Sequence, residues 1–241
     1  VGRAIPAATR AQVKEMIKAA ITEMHRWGLT GVHDAGASAQ VLELYEELGR
    51  EGALGIRLYA MISDDAAAID AWFKRGPQSA LYDGTLWVRS IKLYQDGALG
   101  SRGAALLEPY SDNAATTGLL VSPPEHIRDV ATRALRAGFQ VNTHAIGDRG
   151  NRLVLDSYEA ALRAVPVADH RFRVEHAQIL HADDIPRFAA LGVIPSMQAA
   201  HQTSDMDGAG SRLGDTRLRG ASAWRSLLES GTISPNGCDF P

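Results

Sequence analysis

Phe139-Gln-Val-Asn-Thr-His-Ala-Ile-Gly-Asp148 is an apolar-leaning run that delivers a histidine, a glycine and an aspartate at its C-terminal end. Phe172-Arg-Val-Glu-His-Ala-Gln178 repeats the pattern, with His176 placed 32 positions after His144. In parallel α/β folds the carboxyl ends of strands are where chemistry sits, so two strands that each end in histidine point to a metal site. One such histidine alone is more often a structural hydrogen-bonding residue. The pair, and what surrounds it, shifts the balance.

Working outward, strands and helices alternate along the chain. Residues 9–27 carry apolar side chains at Val13, Met16, Ile17, Ala20, Ile21 and Met24, with Thr9 and Gln12 spaced as a capping box and Gly28 as the stop. A strand over 29–36 follows, then a helix over 40–50, a strand over 56–62 and a helix over 66–74. The strand at 86–94 leads into a glycine-punctuated stretch, residues 95–118, without helical or strand periodicity; a loop this long suits a functional segment over an active site. Ser122-Pro-Pro-Glu125 reads as an N-cap, first-turn prolines and a capping-box glutamate for a helix with a buried stripe of Ile127, Val130, Ala131, Ala134 and Leu135. Helices are expected over 151–164, 183–191 and 223–230, with a strand over 193–198. The segment 231–241 is placed as a last strand by rhythm, since Pro235, Asn236 and Gly237 make it a poor strand by composition.

Seven strands separated by helices demand parallel pairing with right-handed crossovers. A doubly wound open sheet accommodates seven; a (β/α)8 barrel, typically about 250 residues, needs one more. Spacing places Lys92, His144, His176 and Asp239 at the ends of four strands around one face, the last interval covering about two units. With 241 residues and 45% hydrophobic content, one large α/β domain can bury a full core. A net charge of -3 with scattered basic residues gives no footprint for nucleic acid or an acidic membrane surface. Cys238 is the single cysteine, which excludes an intramolecular disulfide and a multi-cysteine zinc site. No apolar stretch approaches the roughly 18 residues of a membrane span.

The four strand-end residues make chemical sense together. Imidazoles and carboxylates ligate Zn²⁺ and similar divalent ions, and a catalytic site leaves a position for water. An ammonium group is no ligand, but a lysine amine that has reacted with CO₂ is a carbamate, an anion able to bridge two metals. An aspartate beside an activated water serves as general base.

The phrases at residues 91–104 (IKLYQDGALGSRGA), 143–148 (THAIGD), 173–178 (RVEHAQ) and 237–241 (GCDFP), supported by 31–36 (GVHDAG) and 223–228 (AWRSLL), resemble the metal-dependent amidohydrolase superfamily. More narrowly, the chain resembles its family 3 branch, the group with N-substituted formamide deformylase and related hydrolases. The resemblance implies a (β/α)8 barrel of the amidohydrolase type, incomplete here and represented by strands 2 to 8. It implies that His144 and His176 bind metal at strands five and six, that Asp239 is the strand-eight ligand and general base, and that Lys92 holds the bridging strand-four position. The implied cofactor is a divalent metal, zinc first, as one or two ions. The implied reaction is hydrolysis of a C–N bond in an amide, formamide or cyclic imide-like small molecule. Ser101, Arg102, His33 and His201 are candidate substrate contacts; for His33, Asp34 and His201 simple loop hydrogen bonding is the competing reading.

The sequence departs from the family pattern in lacking any His-x-His pair, and it stops after the Asp239 motif. These departures lead to the expectation of a fragment: one catalytic barrel domain over 1–241 without strand one and without the small β-sandwich, impaired in metal binding, with exposed strand edges that favour association with another copy. A cytoplasmic location is the default expectation. The competing functional class is a non-catalytic barrel module. His25, His126 and His170 read as solvated surface residues, His181 as a helix-start residue, and Cys238 as no nucleophile for want of a paired base. Glu175 has strand parity opposite His176, which leaves a charge with no evident reason.

Overall fold

The computed structural model describes residues 6–239. They fall into two compact units that divide between Ile91 and Lys92.

The first unit holds helix α1 (Arg10–Arg26), strand β1 (Gly31–Ala37), α2 (Ala39–Arg50), β2 (Arg57–Ile62), α3 (Ala66–Arg75), β3 (Gln78–Ala80), the turn α4 (Leu81–Gly84) and most of β4 (Leu86–Tyr94). β1 runs parallel to β2, and β2 to β4, as the alternation requires. Thr9 and Gln12 cap α1 reciprocally, side chain to backbone in both directions. Its stripe is amphipathic, yet α1 buries no residue completely, and it meets α2 through Lys14, which bridges Glu47 and Glu51. The core of this unit is instead aliphatic sheet against α2 and α3: Leu42, Leu48, Leu58, Ala60, Ile62, Ile69, Leu86 and Val88. β3 and α4 lie outside the expected elements: β3 is only three residues long, and α4 is built on the left-handed non-glycine residues Tyr82 and Asp83 rather than on a periodic pattern.

In the second unit α5 (Pro124–Ala137), β5 (Gln140–Ala145), α6 (Asp148–Ala164), β6 (Arg173–His176), α7 (Ile185–Leu191) and β7 (Ile194–Gln198) alternate as expected. α8 (Ala199–Ser204), α9 (Met206–Leu218) and α10 (Trp224–Glu229) then precede a two-residue β8 (Asn236–Gly237). β5, β6, β7 and β8 pair in that order, all parallel. The buried stripe of α5 is Ile127, Val130, Ala131, Ala134 and Leu135, and Gly138 closes the helix at φ 77°. Its start differs from expectation: Pro123 occupies the N-cap and no side chain caps the helix, since a proline there displaces Ser122 from capping geometry. His170, expected in solvent, is buried; its Nε2 lies 2.9 Å from the carbonyl oxygen of Leu191 and its Nδ1 accepts from the Phe172 amide.

Two buried side chains fix the strands that carry the site. The Tyr158 hydroxyl of α6 bonds Thr143 on β5 at 2.7 Å and the carbonyl of Arg173 on β6 at 3.0 Å. Asn151 donates to the carbonyls of Gly147 and Ile179, holding the turns that follow both strands. Burial makes such bonds costly to lose, at about 1–3 kcal/mol for each group left unpaired. Among the described residues no helix is long and apolar enough to cross a membrane.

Candidate metal centre

The second unit brings together Lys92, His144, His176, His201 and Asp239. His144 lies on β5, where the Gln95 amide donates to its carbonyl at 2.9 Å. Its ring meets the His176 ring edge to face, with centroids 4.5 Å apart. His144 Nε2 is buried, makes no hydrogen bond and stands 3.7 Å from Asp96 Oδ1. Burial, with His176 and Lys92 adding repulsion, pushes the His144 pKa down to about 3, so the imidazole is neutral and keeps a lone pair at neutral pH.

The Glu175 puzzle resolves here. β5 and β6 are registered so that His144 pairs with Glu175 and Ala145 with His176, which puts Glu175 on the same face as His144. It is held there by Arg173, two positions earlier on that face, whose Nη2 lies 2.6 Å from Glu175 Oε1. His176 escapes strand alternation because its backbone turns into the left-handed region, φ 76°, followed by Ala177 at φ 41°. Thus one strand end presents two successive side chains.

His176 is oriented by Gln198. The Gln198 amide nitrogen donates to the Ser196 carbonyl at 3.1 Å, which turns its oxygen toward His176 Nδ1 at 2.7 Å. An amide oxygen only accepts, so Nδ1 carries the proton and Nε2 carries the free lone pair. This is the arrangement in which a second residue fixes the tautomer of a ligating histidine. Burial also lowers the His176 pKa, against the pull of Gln198 and Asp239.

Lys92 is buried, with Nζ 3.7 Å above the Tyr94 ring and donating to the Leu93 carbonyl at 3.2 Å. Burial outweighs the attraction of Glu175 and Asp239 and brings its pKa down to about 8. An appreciable fraction of the amine is then unprotonated near neutrality, the form that can react with CO₂. Asp239, in the left-handed region at φ 56°, places Oδ2 3.6 Å from His201 Nε2. One ligand atom from each of His176, His201 and Asp239 lies within 4.8 Å of the others. Imidazole nitrogens, the orphaned buried Nε2 of His144 and a carboxylate are a donor set that fits a divalent metal ion.

The loop after β4 is ordered by one buried carboxylate that sequence reasoning did not single out. Asp96 accepts from the amides of Ala105, Ile146 and Gly147 at 2.8–2.9 Å. Its neighbours at the start of α6 leave no room for side chains: a Cβ on Gly147 would stand 1.9 Å from the Ala105 oxygen, and one on Gly150 2.4 Å from Asp96 Oδ2. Leu99, Leu106 and Tyr110 of the loop pack with Ile146, Ile179 and Leu213. Ser101 and Arg102 are engaged inside this loop, Ser101 with the Ala98 carbonyl and Arg102 in a two-point contact with Asp112. His33 belongs to the first unit, where its ring stacks on Tyr59 at 4.8 Å; beside it, Asp34 accepts from the Tyr45 hydroxyl at 2.7 Å, and burial raises the Asp34 pKa.

A model of the amidohydrolase family matches residues 1–241. The chain belongs to that family. The chain is 30% identical over 244 residues to the YtcJ protein of Bacillus subtilis (strain 168), covering 99% of the chain and 45% of the relative. It is 27% identical over 190 residues to the N-substituted formamide deformylase of Arthrobacter pascens, covering 74% of the chain and 33% of the relative. Its fold is similar to that of an uncharacterized metal-dependent hydrolase from Pyrococcus horikoshii OT3, with a TM-score of 0.86, 27% identity and coverage of 97% of this chain and 46% of that one. The chain therefore spans less than half the length of the proteins it matches here. Its fold class is α/β, with parallel strands corresponding to part of a (β/α)8 barrel of the amidohydrolase type.

Proposed function

We propose that the chain forms part of a metal-dependent hydrolase that cleaves C–N bonds other than peptide bonds, in amides, formamides or cyclic imides. The observation that supports this reading is the convergence of Lys92, His144, His176 and Asp239, from three strand ends and the segment after β8, beside buried groups that keep both imidazoles neutral. A bound divalent ion, zinc in our reading, would supply a water of lowered pKa and polarise the substrate carbonyl. His144 and His176 offer nitrogen lone pairs to hold it. Asp239 accepts the proton of the attacking water on its carboxylate and returns it to the leaving nitrogen. Lys92, as a carbamate formed by its amine and CO₂ with loss of a proton, would offer that ion an anionic oxygen donor. Ser101, Arg102, His33 and His201 remain our candidates for orienting the small-molecule substrate.

The absence of His-x-His from the 241 residues predicts that this chain holds metal weakly by itself. The test is hydrolysis of a panel of N-substituted amides, formamides and cyclic imides with added Zn²⁺. Turnover that depends on zinc and falls at least about a hundredfold in His176→Ala is the expected result; equal turnover by the two proteins overturns the metal role.

A further inference from the structure

We infer that His201 is itself a metal ligand, completing a three-point site with His176 and Asp239. The inference rests on the reading above that this unit holds a divalent ion, and it moves His201 from substrate contact to ligand.

Four observations carry it. First, His201 sits in the short helix α8 directly after β7, and its ring lies 5.5 Å from that of His176 at an interplanar angle of 20°. Second, His201 Nε2 and Asp239 Oδ2 are 3.6 Å apart, too long for a good hydrogen bond. Two ligands of one tetrahedral zinc, each at about 2.0–2.1 Å, stand roughly 3.3 Å from each other, so the pair needs only a small closure. Third, the other two members are held by unusual backbone: His176 and Asp239 both have positive φ, at 76° and 56°. Non-glycine residues kept in that region cluster at ligand-holding sites because the surrounding structure must over-determine them. Fourth, the Gln198 contact leaves His176 Nε2 free to accept a metal. His176, His201 and Asp239 together offer two imidazoles and one carboxylate, which leaves a fourth position open to water.

His144 lies against the same His176 ring but is not among the three residues whose ligand atoms gather within 4.8 Å. The three-point site can therefore form without His144 and Lys92 among its ligands.

The experiment is a Co²⁺ titration of the whole chain, read by visible d–d absorption and by calorimetry, for wild type, His201→Ala, His201→Asp and the exposed control His181→Ala, each checked for folding by circular dichroism. Wild type and H181A should bind alike, and H201A should bind at least about tenfold more weakly with a weaker band. H201D, which returns a ligand atom, should recover binding with a shifted spectrum. If H201A matches wild type in both affinity and spectrum, His201 is no ligand and the inference fails. Should H201A not fold, H201D decides: a spectrum identical to wild type overturns the proposal. A wild-type chain that binds no Co²⁺ instead overturns the metal-hydrolase reading itself.

Discussion

The candidate centre has a folding side and a binding side, built by different means. Lys92, His144 and the neighbouring Asp96 lie on β4, at the end of β5 and at the root of a long loop, and buried hydrogen bonds fix them: three backbone amides on Asp96, and the Gln95 amide on the His144 carbonyl. His176, His201 and Asp239 instead project from two strained strand-end positions and a six-residue helix, and Asp239 has 56% of its side chain exposed. The difference separates two tasks. On the folding side a lost contact costs stability, whatever metal Lys92 and His144 also help to hold; on the binding side a lost contact costs affinity.

That division can be broken most decisively at Asp96. Asp96→Ala leaves three buried amides without an acceptor and should lower unfolding stability by several kcal/mol, on the order of 3 or more, read from urea denaturation. A shift under about 0.5 kcal/mol would mean that the loop does not depend on this carboxylate.

The next largest effect is acid sensitivity. The unfolded chain binds a proton at His144 near the usual 6.5, whereas the folded chain holds it only near 3. Between those values the unfolded state carries more protons, so stability is present above about pH 6.5 and declines as pH falls, by up to roughly 1.4 kcal/mol per unit. His144→Gln should flatten the dependence of the urea midpoint on pH between 7 and 4, and an unchanged slope would remove His144 from the folding side.

On the binding side, Gln198→Leu frees the His176 tautomer and should weaken Co²⁺ binding about 10- to 100-fold with little change in the urea midpoint. A large loss of stability without a change in affinity would erase the distinction. Smallest of all, Arg102→Ala removes a half-exposed pair with Asp112 and should leave the urea midpoint nearly unchanged, measured in the same denaturation series.

Legibility in the sequence followed the same line. Local chemistry announced itself: the Thr9–Gln12 capping box, the five buried positions of α5 and the span of β4 all emerge from residue type and period. α8 did not, because six residues are too few to show a period, and α9 did not, because Gly208, Gly210 and Gly214 interrupt any apolar rhythm and the helix is kinked at Gly214. Lys92, His144 and His176 were visible as strand-end residues. Asp96 stayed hidden because its partners lie up to 51 positions away and are backbone amides, which leave no trace in residue type. Glu175 was misleading for a backbone reason, since the turn at His176 cancels the parity on which strand reading depends. Gln198 could have been suspected, as a polar residue closing an apolar strand, but its role needed the Ser196 carbonyl to settle which end of the amide faces the histidine.

The two glycines at the start of α6 carry a consequence for comparing related sequences. Positions 147 and 150 are molded against the Ala105 carbonyl and the Asp96 carboxylate, with no space for even a methyl group. A homologue that keeps Gly-Asp-x-Gly after its histidine strand retains the seat for this loop. One with a side chain at either position must route the segment after β4 elsewhere, so these two letters tell two lineages apart by the path of that loop, even where the residues at 92, 144, 176 and 239 are the same.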